Sequence, residues 1–164
     1  MATKEYQSSQ LVKMFRLDIK PPAILKAEAS GRIPIAKRRD RGQVKTRYWT
    51  VEDLPQIGAA FGKFSRPNET EVIASYVPKG GTGKTAWSFN FGRILALHGI
   101  RVLVVGLDFQ CSVSKSFGIN YNSSELPLSL YDVMVNSVAV DEIITKSDIP
   151  NLHFIPEKIG RAHV

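Results

Sequence analysis

Three glycines, a lysine and a threonine stand almost together at Gly80, Gly81, Gly83, Lys84 and Thr85. The chemistry open to that combination is the holding of a polyphosphate. Backbone N–H groups can close around a polyanion only where side-chain bulk is missing, and the glycines supply that. A helix beginning at Lys84 would aim its positive end at the same place. The Lys84 ammonium can then reach the outer phosphates, and the Thr85 hydroxyl is placed to ligate Mg²⁺. The complete loop reads Lys79-Gly80-Gly81-Thr82-Gly83-Lys84-Thr85, with Ala86 completing the candidate nucleotide contacts. The usual phosphate-loop pattern has a glycine at the position held here by Pro78, and a second lysine, Lys79, sits beside it.

Elements on either side must position that loop. Residues 71–77 are short and mostly apolar, which predicts a buried parallel strand leading into it. From Lys84 to His98 a helix is expected, since Trp87, Phe91, Ile94, Leu95 and His98 fall at helical spacing. Phe89 and Ala96 add apolar cover on other sides, so the helix is predicted to be buried against a sheet, with Gly99 as its stop. Residues 101–107 read as a second buried strand. The unit is then strand, phosphate loop, helix, strand.

The lysine at 79 carries a family resemblance. The loop resembles the deviant Walker A motif of the ParA/MinD family of partition and positioning ATPases. Asn90 on the helix and the run Gly106-Leu107-Asp108-Phe109-Gln110 also match, where the family's usual run is Asp-Leu-Asp-Pro-Gln. The resemblance spans about residues 71–157, and residues 151–156 resemble the family's third strand. It implies ATP and Mg²⁺ as cofactors, Lys84 on the phosphates and Thr85 on the metal. It implies that Lys79 reaches across an ATP-sandwiched homodimer to the partner's nucleotide, and that Asp108 orients the attacking water with Gln110 in support. Hydrolysis would then proceed by positioning and electrostatics. Gly106 in place of the family's first aspartate and Phe109 in place of its proline lead to an expectation of slow turnover. An alternative for Asp108 is the N-cap of the element after the strand. Cys111 reads as a packing residue, since no histidine lies near it in sequence.

The charge is uneven along the chain. Residues 1–70 hold 14 Lys or Arg against 7 Asp or Glu, whereas residues 71–164 hold 8 of each, so the whole excess of +7 lies in the first part. Such asymmetry points to a segment that faces nucleic acid, with a solvated or dimerising basic face as the alternative. Residues 8–15 predict a short helix capped by Ser8, and residues 21–30 a second one opened by Pro21 and Pro22. A basic hairpin is expected over residues 36–49, and a third helix after Thr50. The order resembles a MerR-type winged helix-turn-helix. On that reading Lys37, Arg38, Arg39, Arg41, Lys45 and Arg47 meet DNA phosphates and Lys26 is a candidate base reader.

The expected fold class is thus α/β: a partial P-loop NTPase parallel sheet, its N-terminal half, preceded by a small helical winged helix-turn-helix domain. The divisions are residues 1–61, a turn-rich linker 62–70, the ATPase part 71–157, and a tail 158–164. The last six residues equal the translation of a common sequencing adapter, so the native sequence is expected to stop near Glu157, and His163 gets no functional weight. The sheet would be left short, with an exposed parallel edge and an incomplete catalytic domain. No apolar run reaches the roughly 18 residues of a membrane helix, and the N-terminus has no apolar signal core. A cytoplasmic, nucleoid-associated location is expected, with one cysteine too few for an internal disulfide. The resemblance implies a DNA-binding, ATP-hydrolysing partition protein of plasmid or chromosome DNA, stimulated by a ParB-like partner. The rival readings are a nucleotide-regulated transcription regulator with little turnover, and a membrane-associated positioning ATPase, which the basic N-terminal segment disfavours.

Overall fold

The computed structural model describes residues 4–41, 44–62, 64–108, 110–121 and 127–157. The expectations placed on Gly42, Gln43, Lys63, Phe109 and the tail 158–164 lie outside the described residues. The chain divides into two compact units. One comprises Met1–Glu69 with Leu95–Ile100 and Ile149–Asn151, and the other Thr70–Ile94, Arg101–Asp148 and Leu152–Val164.

The first unit is built from helices α1 (Ser8–Met14) and α2 (Pro21–Ala29), strands β1 (Lys37–Arg41) and β2 (Val44–Tyr48), and helix α3 (Leu54–Phe61). The cap of α1 is Gln7 and not Ser8, because the Gln10 amide oxygen reaches back to the Gln7 N–H at 2.8 Å. Ser8 is thereby drawn into the first helical turn. A single 3-10 turn at Val51–Asp53 precedes α3, and Asp53 accepts from both the N–H and the hydroxyl of Thr50, at 2.8 and 3.0 Å. Leu11, Phe15, Ile24, Ala27, Ile33, Ala36, Trp49, Leu54 and Ile57 form one buried cluster. Trp49 is fully enclosed and gives its indole N–H to the Pro34 carbonyl at 2.8 Å, which satisfies its one polar atom. The strands pair as an antiparallel hairpin with Arg38 opposite Arg47 and Asp40 opposite Lys45.

The second unit is a small α/β layer. Its helices are α4 (Lys84–Leu97), whose last turn belongs to the first unit, α5 (Ser112–Ser116), α6 (Leu130–Asn136) and α7 (Val140–Ile143). Its strands are β3 (Val102–Val105), β4 (Thr145–Lys146) and β5 (Leu152–Ile155). The sheet order is β3-β5-β4, with β3 parallel to β5 and the two-residue β4 antiparallel to it, so the sheet is mixed.

Side chains alternate across a pleated strand, so Val102, Val104, Leu152 and Phe154 share one face. That face is covered. Gly92 brings α4 down onto it, since a Cβ there would lie 3.0 Å from Val104 Cγ2 and 3.4 Å from Leu152 Cδ1. Phe117 stacks on Phe154 at 4.2 Å between ring centroids, and Phe89 meets Phe117 edge-on at 4.8 Å. On β3 the opposite face is open, with Leu103 46% and Val105 41% exposed.

Further expectations need correction, the first being the parallel sheet, which antiparallel β4 makes mixed. Residues 71–77 form no strand: the segment is irregular, and Val72, Ile73, Tyr76 and Val77 are all exposed. A strand exists only in a ladder, and no described segment offers it one. The helix carrying the lysine is also only partly buried. Trp87 and Ile94 are exposed while Gly92 and Ala96 are enclosed, because the described chain covers α4 from one side only.

Candidate functional site

The phosphate-loop residues lie between the irregular segment and the first turn of α4. Gly81 and Gly83 have φ of +72° and +80°, a region costly for any residue with a Cβ. No atom of the described residues lies within 4 Å of where a Cβ would stand at Gly80, Gly81 or Gly83, so the loop is open around its glycines. Two side chains brace it. Thr82 donates its hydroxyl to the Lys79 carbonyl at 3.3 Å, and the Lys84 ammonium donates to that same carbonyl at 3.1 Å. The Lys84 charge is therefore folded over the loop it would serve. Thr85 and Ala86 occupy the first turn of α4, and the Trp87 N–H closes on the Gly83 carbonyl at 2.8 Å. Lys79 is exposed. Asn90 bonds back to the Ala86 carbonyl at 2.8 Å, along its own helix.

Asp108 lies just past the carboxyl end of β3, where ligands gather in parallel sheets. Its Oδ1 accepts the Gln110 N–H at 3.0 Å and its carbonyl accepts the Cys111 N–H at 2.9 Å, so the carboxylate closes a turn of its own. The next helix is capped by Cys111, at φ 54°, and not by Asp108. Gln110 is exposed and its carbonyl holds the Lys115 ammonium at 2.9 Å. Cys111 is buried.

One residue at this end of the sheet has no counterpart among the sequence-based candidates. Glu157, 6% exposed, comes after β5 and places its carboxyl against Gly106. Its Oε2 accepts the Ser114 N–H at 2.9 Å and the Ser114 hydroxyl, and its own N–H donates to Ser114 Oγ at 2.9 Å. Tyr121 donates its hydroxyl to the Glu157 carbonyl, and burial pushes the phenol up to about 12. The available signal was a pair: a carboxylate missing at 106 and one gained directly after the apolar run ending at Pro156.

In the basic unit, Lys26, Lys37, Arg38, Arg39, Lys45 and Arg47 are exposed or half-buried, and Arg41 lies in β1. Arg39 pairs with Glu5 at 3.2 Å and Arg47 with Glu28 at 3.6 Å. Arg38 and Lys45 carry no ion pair among the described residues. Like charges directly opposite on a hairpin repel, and the Arg38–Arg47 pair is of that kind.

The family model for the AAA domain matches residues 70–164, more than half of the chain. The chain belongs to the ParA/MinD family. Among its relatives is the cell division protein PomZ of Myxococcus xanthus, 28% identical over 166 residues, covering 100% of this chain and 45% of that protein. Another is the sporulation initiation inhibitor protein Soj of Bacillus subtilis, 37% identical over 92 residues, covering 56% of this chain and 36% of that protein. A plasmid partition protein of Borrelia burgdorferi overlaps 49% of this chain and 36% of its own, with 27% identity and a TM-score of 0.39. The ParA/MinD chain described here thus spans less than half the length of these relatives. Among its described residues no helix is long and apolar enough to cross a membrane.

Proposed function

We propose that this chain binds ATP with Mg²⁺ at the loop 79–85 and forms part of a DNA-partition ATPase acting on plasmid or chromosome DNA. The observation that carries the reading is the open glycine loop at Gly80, Gly81 and Gly83 with Lys84 and Thr85 at the start of α4. That loop is compatible with a polyphosphate: two glycines hold positive φ, no described atom lies within 4 Å of their Cβ positions, and α4 begins directly after Gly83. Lys84 would exchange the Lys79 carbonyl for phosphate oxygens. Mg²⁺ would take the Thr85 hydroxyl and phosphate oxygens as ligands, and its chemistry is to neutralise charge on the leaving phosphates. Lys79, exposed and next to the glycines, would serve the nucleotide of a second copy. Asp108 would orient the attacking water. By the family resemblance, the chain would dimerise on ATP, bind DNA, be stimulated by a ParB-like partner, and reside in the cytoplasm on the nucleoid.

The test is titration with a fluorescent ATP analogue and magnesium. Lys84→Ala is expected to weaken binding by about 10- to 100-fold, the loss of a charge-assisted contact worth roughly 1.5–3 kcal/mol. Lys79→Ala should leave binding by a single copy unchanged and reduce nucleotide-dependent association. Equal loss of binding in both variants would reject the division of roles.

A nucleotide-regulated DNA-binding regulator is the second reading, and the exposed basic hairpin favours it. Turnover measured on a chain extended to the relatives' length separates the two: ATP binding and DNA binding without turnover would select the regulator.

A further inference from the structure

β3 and β5 run in parallel, with Val105 opposite Ile155, so the residues just beyond each strand end up side by side. Those residues are Gly106 and, past Pro156, Glu157. A Cβ on Gly106 would fall inside contact distance of Glu157 Cγ, of its carboxyl carbon and of Oε1. While Glu157 holds this position, only glycine fits at 106. Oε1 has no hydrogen-bond partner among the described residues, whereas Oε2 is satisfied twice by Ser114. A carboxylate in a buried site is retained only where donors compensate it, and two carboxylates in the same space exclude one another.

We propose that Glu157 supplies, from the neighbouring strand, the carboxylate that the family carries at position 106, and acts as the positioning residue for the Asp108 turn. The chain has exchanged the two sites. Glycine has replaced a carboxylate on one strand, and a longer acid on the next strand reaches into the vacated space. Through the reciprocal bonds between Glu157 and Ser114, the end of β5 is tied to the segment just after Asp108 and Gln110. The functional half of this inference rests on the reading of Asp108 as the water-orienting residue.

The experiment compares four variants of the whole chain: Gly106→Asp, Glu157→Ala, the double variant G106D/E157A, and the double variant G106A/E157A. Thermal midpoints and amide hydrogen exchange at Gln110 and Ser114 are read without ligand and with a fluorescent ATP analogue plus magnesium. Each single variant should lower the midpoint, and Glu157→Ala should speed exchange at both amides by roughly tenfold. G106D/E157A should recover the wild-type midpoint and exchange, and the ligand-induced slowing at Gln110 should return with it. G106A/E157A, which fills space without a carboxylate, should recover neither. Equal recovery by both doubles would show a pair that only fills space and would overturn the proposal, as would simple addition of the two single losses. Should the wild-type chain bind no nucleotide, the ATP reading fails alone. The ligand-free exchange data would still decide the carboxylate exchange.

Discussion

Lys84 and Tyr121 illustrate how single groups here are set by local geometry. The Lys84 ammonium rests on the Lys79 carbonyl, a contact that water or phosphate oxygens can replace at little cost because both partners are exposed or half-exposed. Tyr121 is different, since burial holds its phenol neutral up to about 12 against an ordinary value of 10. The folded state thus resists ionisation that the unfolded state undergoes. Its contribution is intact below pH 10 and is lost as pH climbs from 10 towards 12. In urea unfolding between pH 9 and 12, the wild-type chain should lose stability more steeply than Tyr121→Phe. Parallel slopes for the two would remove Tyr121 as the cause.

Among the elements, the hairpin β1–β2 and the helix α4 make opposite demands. The hairpin sets Arg38 across from Arg47, and only Glu28 and Glu5 offset neighbouring charge among the described ion pairs. An anionic partner would stabilise such a ribbon, and duplex DNA is the one that the proposed function names. Binding to DNA should weaken with salt at a log–log slope of about −3 to −5, and replacing Arg38 and Lys45 by Ala should flatten that slope by about 2. A slope near zero in fluorescence anisotropy would reject the interface. The α4 helix was legible from its spacing, and its observed bounds Lys84–Leu97 lie close to those read from the pattern. What the pattern could not say is which side would be covered. Trp87 and Ala96 are both apolar, yet one is exposed and the other enclosed.

For the molecule as a whole, the open face of β3 and the irregular segment 71–77 pose the same physical problem. Val-Leu-Val-Val reads as a strand buried on both faces, and the described chain buries one. Exposed Leu103, Val105, Val72, Ile73 and Tyr76 are adhesive surface of the kind that folded proteins normally cover. At micromolar concentration the chain should associate, and Val105→Lys should suppress this in light scattering while leaving the melting midpoint within a few degrees, since the side chain is partly exposed. In hydrogen exchange the amides of residues 71–77 should exchange without protection. Protection there would show that the segment finds a ladder in solution.

The strand near Leu152 was read from the family resemblance, whereas the sequence by itself determined the glycine-rich loop, the start of α4, the strand after Ile100 and the uneven charge. Each of these rests on local chemistry: glycine conformational freedom, helical spacing, apolar runs, charge counts. Tertiary structure alone decided that residues 71–77 have no ladder, since pairing needs a neighbour that spacing along the chain cannot supply. It alone decided that Asp108 caps its own turn while Cys111 caps α5. And it alone brought Glu157 against Gly106, because two residues 51 positions apart become neighbours only when their strands run side by side.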